Sequence, residues 1–208
     1  APCEETRCGT CTACVDACPT GALLGRDETG APVIDATRCI AYLTIEQKGP
    51  IPREFRPKIG NRIFGCDICQ VVCPWNSKAE PTTDPVFQTR EKYLTLTPRE
   101  LLCFELPDYV EYFSKSAMKR AKLPGLRRNA AVVIGNTDDA SATPLLTRRL
   151  LGEEELPLVR GHIAWALGQI GGDAARDALE QASQREEDSY VLEEIRAARL
   201  RFADALHI

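Results

Sequence analysis

From about residue 126 the apolar positions recur at helical spacing, and the block then repeats. Ala131-Val132-Val133-Ile134-Gly135-Asn136 aligns with Ala164-Trp165-Ala166-Leu167-Gly168-Gln169 at an offset of 33 positions, and Arg127 falls on Arg160. Each copy reads as an apolar helix, a small turn with Gly or Asp, and a second helix, Thr143 to Leu151 in the first and Ala174 to Ser183 in the second. Tyr190 to Leu206, with Val191, Ile195, Ala198 and Leu200, predicts a closing helix. A helix pair that cannot bury both faces stacks on its neighbour, so the block predicts a solenoid with one extended binding face.

Upstream the signals are shorter. Ala22-Leu23-Leu24 reads as a short strand or turn, and Asp27 to Gly30 as a hairpin turn before Pro32-Val33-Ile34. Asp35 or Thr37 is expected to cap a helix carrying Ile40, Leu43 and Ile45, with Cys39 near its first turn and Gly49-Pro50 at its end. The loop Lys58 to Gly65 then delivers Cys66, its two glycines permitting close backbone approach. After the Pro-rich exit 81–85, Thr97-Pro98-Arg99-Glu100 reads as N-cap, first-turn Pro and first-turn acid. Helix is expected over 108–113 and 114–123, interrupted by Pro107 and closed by Pro124-Gly125. The division is 1–80, 81–125 and 126–208, and the short period makes the last part HEAT-like.

The cysteines change the picture. Cys8-x2-Cys11-x2-Cys14-x3-Cys18-Pro19 is answered by Cys66-x2-Cys69-x3-Cys73-Pro74, with Cys39 between them. This is the run that ligates 4Fe-4S clusters in bacterial two-cluster proteins, where the fourth cysteine serves the other cluster. The rule predicts cluster one on Cys8, Cys11, Cys14 and Cys73, and cluster two on Cys18, Cys39, Cys66 and Cys69. Cys3 and Cys103 receive no role, Cys103 lying in the apolar run 101–104 as a small hydrophobe. Disulfides would have to bridge side chains packed between positions 3 and 18. Zinc prefers two C-x2-C pairs parted by a loop over four thiolates in one run. The fold class is mainly α with a small α+β part, a ferredoxin-like di-cluster domain followed by a HEAT-like α-solenoid.

At 208 residues, 44% hydrophobic and 27% charged, the composition is that of a soluble protein, and no apolar stretch is long enough to span a bilayer. Reduced thiolates imply the cytoplasm. The opening Ala1-Pro2-Cys3 and the single Met118 point to a start codon upstream and to a fragment. The net charge of −4 hides an uneven distribution, since Lys115, Lys119, Arg120, Lys122, Arg127 and Arg128 run without an acid. Such a run is either a solvated face or a nucleic-acid contact.

The strings Cys18-Pro19-Thr20-Gly21-Ala22, Arg38 to Glu46, Ile59 to Asp67, Cys73-Pro74-Trp75-Asn76 and Arg128-Asn129-Ala130-Ala131 together resemble the carboxy-terminal part of the epoxyqueuosine reductases. The resemblance implies a cobalamin-dependent oxidoreductase that removes the epoxide oxygen from epoxyqueuosine at the tRNA wobble position, giving queuosine. Two 4Fe-4S clusters would feed the cobalt, and the HEAT-like tail would help hold the tRNA anticodon stem-loop. It implies the same crossed ligand sets. Most of the cobalamin pocket and the catalytic acid belong to an amino-terminal domain without a counterpart here, so this chain is not expected to turn over alone. The candidate tRNA contacts are Lys119, Arg120, Lys122, Arg127, Arg128 and Arg160, with Arg62 and Trp75 weaker and His162 structural. Arg128 is equally suited to brace the first repeat. The expected partners are tRNA and an electron donor such as a flavodoxin or ferredoxin, for a monomer without a membrane. A stand-alone electron-transfer module docking a protein partner and a corrinoid reductive dehalogenase are the alternatives, and the HEAT-like tail speaks against the second.

Overall fold

The computed structural model describes residues 8–204. Among them the chain is mostly helical, with one two-stranded sheet. The cysteine-bearing part strings together α1 (Ala13–Asp16), β1 (Leu23–Arg26), β2 (Pro32–Ile34), α2 (Arg56–Ile59) and α3 (Ile68–Val71). The strands pair antiparallel, Leu23 opposite Ile34 and Arg26 opposite Pro32, with a register shift between Leu23 and Gly25, the latter at φ +91°. Asp27 closes the hairpin turn by accepting from the amides of Thr29 and Ala31, both at 2.9 Å.

The helix expected after Asp35 is split. Asp35 caps a 3-10 turn over Ala36–Arg38, Cys39 is extended, and the chain turns helical again at Ile40. Its second part, Tyr42–Glu46, is a π-helix, a form concentrated at functional sites.

Next come α4 (Glu91–Leu94), α5 (Pro98–Cys103) and α6 (Leu106–Phe113). Thr97 and Glu100 form a full capping box on α5. The expected interruption at Pro107 does not occur, because that residue lies in the first turn of α6. Pro124-Gly125 likewise opens rather than closes a helix: α7 runs over Lys122–Asn136. Proline is tolerated in a first turn because the amide it lacks has no partner there.

The tail continues as α8 (Thr143–Leu150), α9 (Pro157–Ile170), α10 (Asp173–Ser183) and α11 (Ser189–Asp204). Helices α5, α7, α9 and α11 follow one another side by side, with α8 packed on α9 and α10 on both α9 and α11. The inner helices are wrapped on all sides: residues 125–135 of α7 are buried without a break. That explains why α7 and α9 lack a polar stripe. Gly135 and Gly168, one repeat apart, let neighbours close in: a Cβ on Gly168 would lie 2.9 Å from Ala198 Cα, and one on Gly135 2.9 Å from Ala166 Cα. One apolar core runs from Ile40, Ile51 and Ile59 into α5, α7, α9 and α11. Among the described residues no helix is long and apolar enough to cross a membrane.

Candidate metal centre

The two cysteine motifs fold alike. In the first, Cys11 N donates to Cys8 O at 3.0 Å, Cys14 lies in α1, and Cys18 follows the helix with its amide on Val15 O. In the second, Cys66 precedes α3, Cys69 lies in it, and Cys73 follows with its amide on Gln70 O. α1 and α3 pack on each other. Behind Cys18, Pro19 and Gly21 at φ +61° swing the chain away, and Ala22 N donates to Cys18 Sγ at 3.2 Å.

Two cavities result. One, of about 420 Å³, is lined by Cys8, Cys11, Cys14 and Cys73, with Cys69, Trp75 and Lys78 at its wall. The other, of about 50 Å³, is lined by Cys18, Cys39, Cys66 and Cys69 among Ala22, Leu23, Ile34, Ile40 and Ile68. The structure thus brings the two fourfold sets together, with Cys69 facing both. Cys8 and Cys11 are exposed, whereas the other six are half-buried. Among the described residues no three His, Cys, Asp or Glu side chains gather tightly enough to hold a single metal ion. The thiols stand around the walls of the two cavities.

The electrostatics agree. Burial opposes ionisation of Cys18, yet the Leu23 amide, the Thr20 hydroxyl and the Ala22 amide outweigh it and lower the thiol. The Cys69 thiol is raised by burial and by repulsion from Cys66, Cys39 and Cys14. A bound cation would reverse that shift at Cys69 by favouring its thiolate.

The loops that carry Cys39 and Cys66 are clamped by α7. Asn129 Nδ2 donates to Thr44 O and Ile63 O at 2.7 and 2.8 Å, and Asn136 Nδ2 to Arg56 O and Gly60 O at 2.8 and 2.9 Å. Thr44 Oγ1 accepts from Gly65 N at 2.9 Å, just before Cys66. Arg56, only 1% exposed, forms a double hydrogen bond with Glu194 of α11. Sequence reasoning missed Thr44, Arg56, Asn129, Asn136 and Glu194. Only the clustering of Arg128-Asn129 between apolar residues signalled any of them.

The cationic candidates divide. Lys119, Arg120 and Lys122 are exposed, with Arg120 in an ion pair with Glu46. Lys122 sits at φ +61°, an unusual backbone for a residue with a side chain. Arg127 and Arg128 are buried, which corrects the contact reading of both. Arg127 Nε donates to Phe104 O at 2.8 Å and its guanidinium pairs with Glu105 and Glu155. Arg160, at the matching place one repeat on, is held by Glu186 at 2.8 Å and is half-buried, so it too is a brace. A buried guanidinium satisfied by carbonyls and carboxylates has no face left for phosphate. Arg62 is half-buried on Ile59 O, whereas Trp75 is exposed at the rim of the wider cavity. His162 is wholly buried: its Nε2 accepts from Ile51 N at 3.2 Å, so Nδ1 carries the proton toward Leu158 O at 2.7 Å. Cys103, expected as a core residue, is exposed between buried Leu102 and Phe104, and Cys3 lies outside the described residues.

Comparison with known proteins fits this geometry. Residues 7–76 match the 4Fe-4S double cluster binding domain, and residues 115–199 match HEAT repeats. The chain is 42% identical over 92% of its length to epoxyqueuosine reductase of Bacillus anthracis, covering 48% of that protein. It is 43% identical over 81% of its length to that of Pseudomonas aeruginosa, covering 45%. A crystal structure of epoxyqueuosine reductase with an epoxyqueuosine-modified tRNA-Tyr stem loop superposes with a TM-score of 0.86 at 36% identity, over 96% of this chain and 51% of that one. The chain spans about half the length of the curated relatives it matches. Over that stretch, which carries the double-cluster domain and the HEAT repeats, it belongs to the epoxyqueuosine reductase family.

Proposed function

We propose that the chain is the electron-delivering and tRNA-binding part of a cobalamin-dependent reductase that converts epoxyqueuosine to queuosine at the tRNA wobble position. The observation that carries this reading is the sorting of eight thiols into two cavities in a chain of this family. Cluster one takes Cys8, Cys11, Cys14 and Cys73, and cluster two takes Cys18, Cys39, Cys66 and Cys69. The donor set fits: each cavity is lined by its four thiols, with Cys69 on the wall of both, and burial and thiol repulsion at Cys69 favour a cationic core there. Bound clusters of this kind supply single electrons at low potential.

The chain's own residues divide the work. Apolar Ala22 and Ile40, both buried, keep water from the second site, whereas Cys8 and Cys11 leave the first open. Cys69, on the wall of both, couples them through one side chain. A groove of about 710 Å³ in the tail shares no residue with either site and is lined by Glu153, Glu186, Glu187 and Asp188 together with Arg160 and Arg185. By the family resemblance, cobalamin and the reacting epoxide are assigned mostly to the half of the relatives that this chain does not span. A flavodoxin or ferredoxin is the proposed donor and the monomer the working unit.

For tRNA, the exposed Lys119, Arg120 and Lys122 are the proposed phosphate contacts, and an anticodon loop offers bases that can splay out of the stack. The test is iron analysis and electron paramagnetic resonance of anaerobic, dithionite-reduced protein, followed by gel shifts with queuosine-type and other tRNAs. Eight irons per chain and preferential binding of queuosine-type tRNA are expected. An iron content near nil would overturn the cluster assignment, and equal retention of all tRNAs the tRNA reading.

A further inference from the structure

We propose that Thr20 sets the reduction potential of cluster two by acting through Cys18: its buried hydroxyl donates to Cys18 Sγ, draws negative charge from that ligand and makes the cluster easier to reduce. The inference rests on the ligand set Cys18, Cys39, Cys66 and Cys69 proposed above.

Thr20 is 1% exposed and lines the second cavity together with those four cysteines. Its Oγ1 lies 3.7 Å from Cys18 Sγ, the hydroxyl's only hydrogen-bond partner among the described residues. A free thiol could be the donor in that pair. A cysteine that ligates iron is a thiolate without a proton, so there the hydroxyl must donate. Hydrogen bonds to an ionised acceptor are the stronger kind. Packing alone would be better served by valine, which has the same branched shape and no polar atom to satisfy.

The hydroxyl is held on its target. Pro19 restricts the backbone before it, and Arg38 Nη2 donates to Thr20 O at 2.9 Å. Arg38 directly precedes Cys39, so the turn that carries the hydroxyl is tied to the loop of a second ligand. The branched side chain has few rotamers to choose from. Ala22 N donates to the same sulfur at 3.2 Å, which gives Cys18 two donors, one from the backbone and one that depends on the side chain at position 20. Counted from Cys73-Pro74, the matching position of the other motif is Trp75, an exposed indole without a hydroxyl. Loss of the Thr20 hydroxyl should therefore act on one cluster alone.

Hydrogen bonds to the sulfurs are a lever on the potential of such a cluster. One electron taken from dithionite, or from a low-potential protein donor, adds one negative charge and breaks no bond. A donor hydrogen aimed at a ligand sulfur stabilises that added charge. Because Cys69 lines both cavities, Thr20 biases an electron shared between them toward the second.

The experiment is a potentiometric titration, followed by electron paramagnetic resonance, of the full chain loaded anaerobically with iron and sulfide. Cluster two is identified as the signal altered by Cys39→Ser. In Thr20→Val, with iron content unchanged, its reduced-to-oxidised ratio at fixed potential should fall about fivefold, equivalent to about 41 mV for one electron. Thr20→Ser, which keeps the hydroxyl, should recover most of the fall, and cluster one should not move. An unchanged cluster-two potential in Thr20→Val overturns the proposal, as does an equal fall in Thr20→Ser or an equal shift of both clusters. Should Thr20→Val lose iron, Thr20→Ala takes its place with the same expected fall, since it also lacks the hydroxyl and demands no extra room. Iron lost from both variants makes Thr20 a brace and overturns the proposal. A parent protein without two distinguishable signals would instead sink the ligand assignment.

Discussion

The pair Arg56–Glu194 ties the cysteine-bearing loops to the last helix, and its removal gives the sharpest test of how the two halves hold together. Its side chains are 1% and 4% exposed, with contacts of 2.7 and 2.8 Å, and Arg56 Nε is anchored on Ile51 O at 2.8 Å. In Glu194→Gln the guanidinium stays buried while its charge partner is gone. Breaking a buried pair from one side costs about 3–5 kcal/mol, because the remaining charge is uncompensated. At about 2–4 °C per kcal/mol for a chain of this size, the melting midpoint should drop by about 6–20 °C. Arg53, 39% exposed and also touching Glu194, adds little, since solvent screens it. Replacing both partners, Arg56→Met with Glu194→Leu, removes both charges and should recover most of the loss. Far-ultraviolet circular dichroism melts of the anaerobic, iron-loaded protein compare both variants with the parent. The reasoning fails if Glu194→Gln melts within about 2 °C of the parent, less than 1 kcal/mol, or if the double variant is as weak as the single one.

Gly168→Val would drive a side chain into Ala198, whose Cα already lies 2.9 Å from the Cβ position, and overpacking of this kind costs about 1–3 kcal/mol in a denaturant titration. His162 is held neutral, its pKa well below the usual value through burial and the nearby Arg56. The unfolded chain can therefore take up a proton that the folded chain refuses, so stability is lost as pH falls below about 6.5. Relative to His162→Gln, the parent should lose about 1.4 kcal/mol per pH unit between pH 6 and 5, and parallel profiles would remove the claim. Replacing Lys119, Arg120 and Lys122 together by Gln should weaken tRNA binding and cut the slope of log K against log salt by about 2–3. An unchanged slope would mean the phosphates lie elsewhere.

The cysteine motifs were legible because a cubane's ligands are set by local chain geometry: a three-residue spacing, one turn of helix, and a proline that sends the fourth thiol aside. The repeat was legible too, since Gly135 and Gly168 mark the same close approach in successive copies. Pro124 misled because proline both ends helices and opens them, and only the burial of the following turn decides which. Arg127 and Arg128 misled for a similar reason. A cationic run has the same appearance whether it meets solvent or a row of carbonyls, and those of Arg128 belong to residues 43–49, far away in the chain. Arg56 and Glu194 left no local trace at all, because neither position stands out until the fold brings them together.

The reach of α7 back over the cysteine loops has a consequence for biogenesis. Every thiol of both motifs leaves the ribosome before Arg128, Asn129 and Asn136 do, so the nascent chain exposes the loops of Cys39 and Cys66 without the helix that fixes them. Iron delivered during synthesis would meet an incomplete second pocket. Maturation factors therefore have reason to act on the finished polypeptide, and truncations that end before α7 should accumulate with less iron than the full chain.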